Sequence, residues 1–120
     1  MELRDEGQPD AGATVTVLAD GDTVRLEVRG QLDISTAWML DRDLRFAEAF
    51  SPAPLRVDVS RVTFIGVAGL RVLVAAANRA WHAGAELRLL APSEPVWRLL
   101  AALGEYQIRG LSIETATVPG

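Results

Sequence analysis

The sequence contains no cysteine and no lysine, and it has a single histidine among its 120 residues. The lack of cysteine excludes disulfides, thiolate metal sites and cysteine nucleophiles. The lack of lysine excludes a P-loop, because the GxxxxGK[ST] motif requires one. The histidine, His82, has no sequence neighbours that would complete a catalytic triad or a histidine-rich metal site. It is predicted to lie at the surface in the last turn of a helix, where it interacts favourably with the helix dipole.

Long apolar runs and a basic stripe are also missing. Arg or Gly interrupts every apolar run before it reaches the length of a membrane helix. The first residues, MELRDEGQPDAGA, are acidic and lack the apolar segment of a signal peptide. The net charge is −4, and most of it comes from this segment, so the rest of the chain is nearly neutral. The sequence therefore predicts a cytoplasmic protein with no direct membrane insertion and no nucleic-acid partner.

Catalytic motifs are absent as well. Asp41 and Asp43 are two positions apart on a predicted helix, so their carboxylates do not face each other. Gly66 and Gly69 do not form the GxGxxG pattern of a dinucleotide site. These absences predict that the protein is not an enzyme and that it has no metal and no cofactor.

Hydrophobic residues are abundant, at 49% of the chain, which is enough for the core of one domain of this size. Residues 1–13 are polar and acidic with Gly and Pro, and they are predicted to be disordered. Residues 14–114 are predicted to form the domain, and residues 115–120 a frayed tail.

Strand and helix patterns alternate through residues 14–114. Two alternating runs around Asp20-Gly21 predict a β-hairpin. Ser35 or Thr36 is predicted to cap the first helix. The predicted elements are strands at 14–18 and 23–29, a helix to about 50, a strand at 55–59, a helix at 67–82, a strand at 85–90, a helix from about 93 to 103, and a strand within 106–114. This order predicts an α/β fold, a mixed sheet of about five strands with helices packed against it.

The spacing of apolar residues predicts which face of each helix is buried. In the first helix these residues are Ala37, Leu40, Leu44 and Ala47. In the second helix they are Leu70, Leu73, Val74, Ala77 and Trp81. Trp38 lies beside the first of these faces. It is either an exposed anchor for a partner or a helix-flank residue covered by the N-terminal segment.

Three segments resemble the STAS family. These are GQLDISTA at 30–37, LRVDVSRVTFIGVAGLRVLVAAANRA at 55–80 and AELRLLAPSEPVWRLLAALG at 85–104. The family includes bacterial anti-sigma factor antagonists and the STAS domains of anion transporters. The resemblance covers residues 14 to 114 and implies the STAS fold.

In antagonists of this family the loop after the third strand reads Phe-Ile/Met-Asp-Ser-Ser/Thr-Gly-Leu. A partner kinase that is also the anti-sigma factor phosphorylates the first of the two hydroxyl residues. This chain reads FIGVAGL at 64–70, so its outer residues match while Gly66, Val67 and Ala68 replace the Asp-Ser-Ser/Thr core. Val67 stands at the phosphoacceptor position without a hydroxyl. The resemblance therefore implies an antagonist that is not phosphorylated at this loop.

The resemblance implies a regulatory module that binds an anti-sigma factor of the serine-kinase ATPase type. The two strand-to-helix turns are expected to lie at one sheet edge, since they follow neighbouring parallel strands. The predicted partner-binding residues are Asp33, Ser35, Thr36, Trp38, Gly66, Val67, Ala68, Gly69 and Arg71. One alternative is a STAS subunit or sensor of a membrane transport or signalling assembly, with or without a small ligand. Another is a diverged paralogue without binding activity. The sequence leaves the partner, the oligomeric state and modification at Ser35, Thr36 or Thr63 open.

Overall fold

A computed structural model describes residues 1–8, 12–21, 23–50, 55–103 and 108–115 of the chain. Within these residues, one sheet has the strand order β1-β2-β3-β4-β5-β6 and is accompanied by three helices. The strands are β1 (Glu2–Gln8), β2 (Ala13–Asp20), β3 (Thr23–Leu32), β4 (Leu55–Ile65), β5 (Leu87–Leu90) and β6 (Leu111–Glu114). The helices are α1 (Ala37–Phe50), α2 (Val67–His82) and α3 (Glu94–Ala102).

The sheet is mixed, as the sequence predicts. The strands β1, β2 and β3 are antiparallel, and β3, β4, β5 and β6 are parallel to one another. The predicted hairpin is the β2–β3 pair, in which Asp20 lies opposite Thr23. Gly21 in its turn has φ 63°, a conformation that glycine adopts without steric cost. The α/β class is thus confirmed, while the described part of the chain has six strands where the sequence predicts about five.

The additional strand is β1, and the prediction that residues 1–13 are disordered is wrong for this part. Its residues pair antiparallel with β2, from Glu2 opposite Leu18 to Gln8 opposite Ala13. The amino group of Met1 also donates to the carbonyl of Ala19 at 3.0 Å. A polar segment lacks the alternating apolar residues from which a strand is predicted. Its backbone can nevertheless pair with the open edge of β2. Residues 9–11 and 116–120 lie outside the described residues, so the frayed tail stays a prediction.

The helix α1 buries the face that its sequence predicts. Ala37, Leu40, Leu44 and Ala47 are all buried, and Met39 and Asp43 join them. The helix packs against α2 and against the strands β2 and β3. Its amphipathic period therefore determines which side enters the core.

The helix α2 has the predicted bounds, but its predicted buried face is confirmed only at Leu73 and Ala77. Its buried residues are Gly69, Leu73, Ala76 and Ala77. Leu70 and Val74 are only partly buried, and Trp81 is 52% exposed. An ion pair of 2.9 Å between Arg79 and Glu48 of α1 lies at this contact. The prediction for Leu70, Val74 and Trp81 fails because several apolar faces are available on α2, and its neighbours determine which one is buried.

The strand β4 continues six residues beyond its predicted end at Val59, as far as Ile65. Its register against β3 shifts twice, between Glu27 and Arg29 and again between Gly30 and Gln31. Each shift places one extra residue on β4, as in a β-bulge. Consequently Val59, Val62 and Ile65 are buried at a spacing of three, where a regular strand has a spacing of two. The ring of Phe64, the residue before Ile65, is exposed beside the end of the strand.

Candidate partner-binding surface

Two strand-to-helix junctions lie side by side at one edge of the sheet. The last residues of the two strands, Leu32 of β3 and Ile65 of β4, are partners in the parallel register. The N–H of Gly66 donates to the carbonyl of Leu32 at 3.0 Å and joins the two junctions directly. The expectation that both turns emerge at the same edge is confirmed.

The first junction, residues 33–36, is built by polar side chains. The carboxylate oxygen Oδ1 of Asp33 accepts hydrogen bonds from the N–H of Ser35 at 2.9 Å and from its hydroxyl at 2.7 Å. Hydrogen bonds from Ser35, first through its hydroxyl and then through its N–H, lower the pKa of Asp33 below the ordinary value. The Thr36 hydroxyl donates to the carbonyl of Gln31 at 2.5 Å and accepts from the N–H of Asp33 at 3.0 Å. These bonds fold the turn that leads into α1, and the N–H of Ala37, the first residue of the helix, donates to the backbone carbonyl of Asp33 at 2.9 Å.

The second junction, residues 66–69, is built by backbone and close packing. Gly66 caps α2 with extended backbone and no side-chain hydrogen bond, and its carbonyl accepts from the N–H of Leu70 at 3.0 Å. A Cβ atom on Gly69 would lie 2.9 Å from Cβ of Leu32 and 3.1 Å from Cγ1 of Ile65. Only glycine lets the first turn of α2 approach the strand ends so closely. A Cβ atom on Gly66 would meet mainly the ring of Phe64, at 3.3 Å.

Exposed apolar side chains surround these junctions. Val67 is 63% exposed and Trp38 is 49% exposed, in agreement with their predicted place on a surface. Ile34, at 89%, and Phe64, at 50%, are two that the sequence prediction did not include. We call Ile34, Trp38, Phe64 and Val67 the apolar edge. The sequence signal for Ile34 is an apolar residue between the polar residues of a turn, whereas Phe64 lies beyond the predicted end of β4 at Val59, so the sequence predicts no strand face for it.

Trp38 is held in place although its ring is half exposed. Its indole N–H donates to the carbonyl of Ser35 at 2.9 Å, and the guanidinium carbon of Arg42 lies 4.8 Å from the ring centroid. This distance is within the range of a cation–π contact. The structure therefore favours the exposed interpretation of Trp38 over the covered one.

The remaining predicted residues divide by accessibility. Ser35 and Arg71 are exposed, and Asp33, Gly66 and Ala68 are partly buried. Thr36 and Gly69 are buried. The prediction that these two residues contact a partner directly is therefore wrong. Thr36 is buried because its hydroxyl bonds to the backbone under α1, and Gly69 because α2 lies against the strand ends. Both residues position the surface without forming it.

Across the ranges that the structure describes, no three His, Cys, Asp or Glu side chains are grouped so that they could hold a metal ion. Within the same ranges, no helix has the length and apolar character to cross a membrane.

Comparison with known proteins supplies the family. The family described as Mlab, STAS domain, matches residues 15–110, which is most of the chain. The chain belongs to the STAS family. The resemblance of the three sequence segments is thereby confirmed, and the six-stranded sheet is this chain's version of the STAS fold.

Individual relatives of this STAS domain are anti-sigma factor antagonists. The anti-sigma-F factor antagonist RsfB of Mycobacterium tuberculosis is 34% identical over 71 residues, which are 59% of this chain. The match spans 57% of that relative, little more than half of its length. A crystal structure of an anti-sigma factor antagonist from Mycobacterium paratuberculosis is 25% identical, with a TM-score of 0.75 over 94% of this chain and 92% of that one.

A third likeness concerns the fold alone. The structure of the anti-sigma factor antagonist SpoIIAA in its unphosphorylated form is 17% identical, with a TM-score of 0.65. The match covers 86% of this chain and 89% of the SpoIIAA chain. The arrangement of sheet and helices is therefore shared well beyond the range of sequence similarity.

Proposed function

We propose that this STAS domain is a non-catalytic regulatory module that binds an anti-sigma factor of the serine-kinase ATPase type and thereby opposes it. The observation that carries the proposal is the apolar edge, at the junctions of two adjacent parallel strands. The similarity to anti-sigma factor antagonists supports the same role. The contact surface is formed by the apolar edge together with Ser35 and Arg71.

Trp38 is the proposed anchor of this surface. Tryptophan is enriched among the residues that contribute most to binding energy. Here the indole N–H is already bonded to Ser35 and the ring face lies against Arg42. Because the side chain is held before the partner arrives, it loses little conformational freedom on binding. The pre-organised ring is therefore suited to insert into an apolar groove of a partner.

Binding through residues 66–69 is proposed to be independent of phosphorylation there. No residue from Gly66 to Gly69 has a hydroxyl oxygen that could accept a phosphoryl group. The exposed isopropyl group of Val67 gains free energy when a partner covers it, since it leaves water. The loop thus serves as a permanent apolar contact.

The test measures affinity for the kinase-type anti-sigma factors encoded in the same genome, by calorimetry with purified proteins. Trp38→Ala should weaken the complex by about 2 kcal/mol, roughly thirtyfold in affinity. The matched control is Trp81→Ala. Trp81 is 52% exposed but lies at the other end of α2, about 20 Å from Val67. This control should change the affinity by less than threefold, and neither variant should alter thermal unfolding strongly.

Two outcomes would count against the proposal. If Trp38→Ala and Trp81→Ala change the affinity equally, the apolar edge is not part of the interface. Failure to bind any anti-sigma factor, together with recovery of transporter components in a pull-down from the host, would establish the transport alternative instead.

A further inference from the structure

Asp33-Ile34-Ser35 has a structural counterpart elsewhere in the molecule. At Asp58-Val59-Ser60 the N–H and the hydroxyl of Ser60 bond to Oδ1 of Asp58 at 2.9 and 2.6 Å. The corresponding distances from Ser35 to Asp33 are 2.9 and 2.7 Å. Both serines are exposed. The two hydrogen bonds to the aspartate are therefore alike, and the surroundings distinguish the two hydroxyls.

Ser35 lies within the proposed contact surface, whereas Ser60 does not. Ile34 precedes Ser35 in the chain, and the carbonyl of Ser35 holds the indole of Trp38 at 2.9 Å. Ser60 lies in β4, five residues before Ile65 and roughly 16 Å from the strand end. A change at Ser35 would thus act directly on the anchor, while the same change at Ser60 would not.

We propose that Ser35 is the phosphoacceptor through which this surface is regulated, in place of the loop at 66–69. The inference rests on the proposed function, because the binding partner supplies the kinase and its nucleoside triphosphate. The Ser35 hydroxyl oxygen forms a bond to the γ-phosphorus, and the bond from that phosphorus to the bridging oxygen of the diphosphate breaks. The hydroxyl proton passes to the Asp33 carboxylate and then to water, and the nucleoside diphosphate leaves.

The product would open the turn that holds Trp38. Phosphorylation removes the donor that bonds to Asp33 and places a charge of about −1.5 to −2 beside that carboxylate. Repulsion between the two anions displaces residue 35 and with it the carbonyl that accepts from the indole of Trp38. The phosphate would also have to be desolvated inside an apolar interface. Both effects weaken binding, so phosphorylation acts as an off-switch.

The fold itself should survive the modification. A negative charge next to the first turn of α1 interacts favourably with the helix dipole. The bond from Thr36 to Gln31 under the helix is separate from Ser35. The expected response is therefore a local release of Trp38 without global unfolding.

The first experiment measures how accessible Trp38 is to a fluorescence quencher in the absence of a partner. The three tryptophans are Trp38, Trp81 and Trp97, and Trp81→Phe with Trp97→Phe leaves Trp38 as the only tryptophan, which is excited selectively over tyrosine. Phosphoserine is installed during translation at position 35 or, as the matched control, at position 60. Phosphoserine at 35 should increase acrylamide quenching of Trp38 at least twofold, and phosphoserine at 60 should leave it unchanged. Equal quenching in both proteins would overturn the proposed release of Trp38.

The second experiment uses the purified anti-sigma factors of the same genome with ATP. Mass spectrometry should map phosphate to Ser35. In a separate binding measurement, phosphoserine at 35 should lower the affinity of the complex at least tenfold, and phosphoserine at 60 should lower it less than twofold. If the unmodified chain binds but Ser35 gains no phosphate and phosphoserine at 35 leaves affinity unchanged, the switch is refuted and the proposed function stands. If the unmodified chain binds no anti-sigma factor, the proposed function fails and the switch fails with it.

Discussion

The two junctions at the sheet edge solve the same structural problem with different chemistry. Each connects a parallel strand to the start of a helix. At residues 33–36 the side chains of Asp33, Ser35 and Thr36 hold the turn before the helix with hydrogen bonds. At residues 66–69 no side chain takes part, and the helix start is held by backbone bonds and by the fit of Gly69 against Leu32. The comparison shows that the turn into a helix can be held either by polar side chains or by backbone bonds and close packing.

The largest expected effect comes from disturbing the packed junction. Gly69→Val should reduce the free energy of unfolding by about 3 kcal/mol, because its side chain would overlap Leu32 and Ile65. Chemical denaturation of parent and variant measures the difference. Ala68→Val, in the same turn but partly exposed, is the control and should cost about 0.5 kcal/mol. Similar losses in both variants would show that helix propensity, and not the close approach, makes Gly69 necessary.

A smaller loss is expected at the polar junction from Thr36→Val. This change keeps the shape of the side chain but removes the hydroxyl that bonds to Gln31 and Asp33. Two part-buried backbone groups would lose a partner, at a cost of about 2 kcal/mol. Thr63→Val, at an exposed position of β4, should be nearly neutral in the same denaturation experiment. A neutral Thr36→Val would mean that backbone bonds alone suffice there too.

A pH-dependent effect is expected from Asp33→Ala. The carboxylate has a pKa below its ordinary value of 3.8, because Ser35 donates to it in the folded state. A lowered pKa means that the stabilisation is complete above the unfolded value and is lost as pH falls through the folded one. The gap in unfolding temperature between parent and variant should therefore be constant near neutral pH and shrink below about pH 4. A gap that persists undiminished at pH 2 would assign the effect to lost contacts instead of charge.

The smallest change in stability is expected from making the second junction polar. Gly66→Asp with Val67→Ser should alter the free energy of unfolding by only about 0.5 kcal/mol, since both residues favour a helix N-terminus. Gly66 has φ −104°, which any residue adopts, and only the ring of Phe64 must adjust.

The same variant tests whether this loop derives from a phosphorylated one. Incubated with ATP and a binding anti-sigma factor, the parent should gain no phosphate within residues 64–70, and the folded double variant should gain it at position 67. Mass spectrometry locates the phosphate. A folded double variant that binds but stays unmodified at position 67 would remove support for that origin.

Much of the scaffold follows from local signals. The Asp20-Gly21 turn between alternating runs predicts the β2–β3 hairpin, and the apolar period of α1 predicts its buried residues. The bounds of α2 follow from Gly66 before its apolar run and Gly84 after it. The absence of a hydroxyl from Gly66 to Gly69 is likewise a property of the sequence alone. All these features depend on residues that are close together in the chain.

The tertiary structure decided the rest. Pairing of β1 depends on the open edge of β2, and the phase of α2 depends on α1 and the sheet. The spacing of three between Val59, Val62 and Ile65 depends on two register shifts between β3 and β4, and the need for glycine at position 69 depends on Leu32, 37 residues earlier. The sequence by itself determined the order of elements from β2 onward and the chemistry available at residues 66–69. Which side chains meet or stay exposed at the apolar edge was decided by long-range contacts, because distant segments must be brought together before their shapes can select one arrangement.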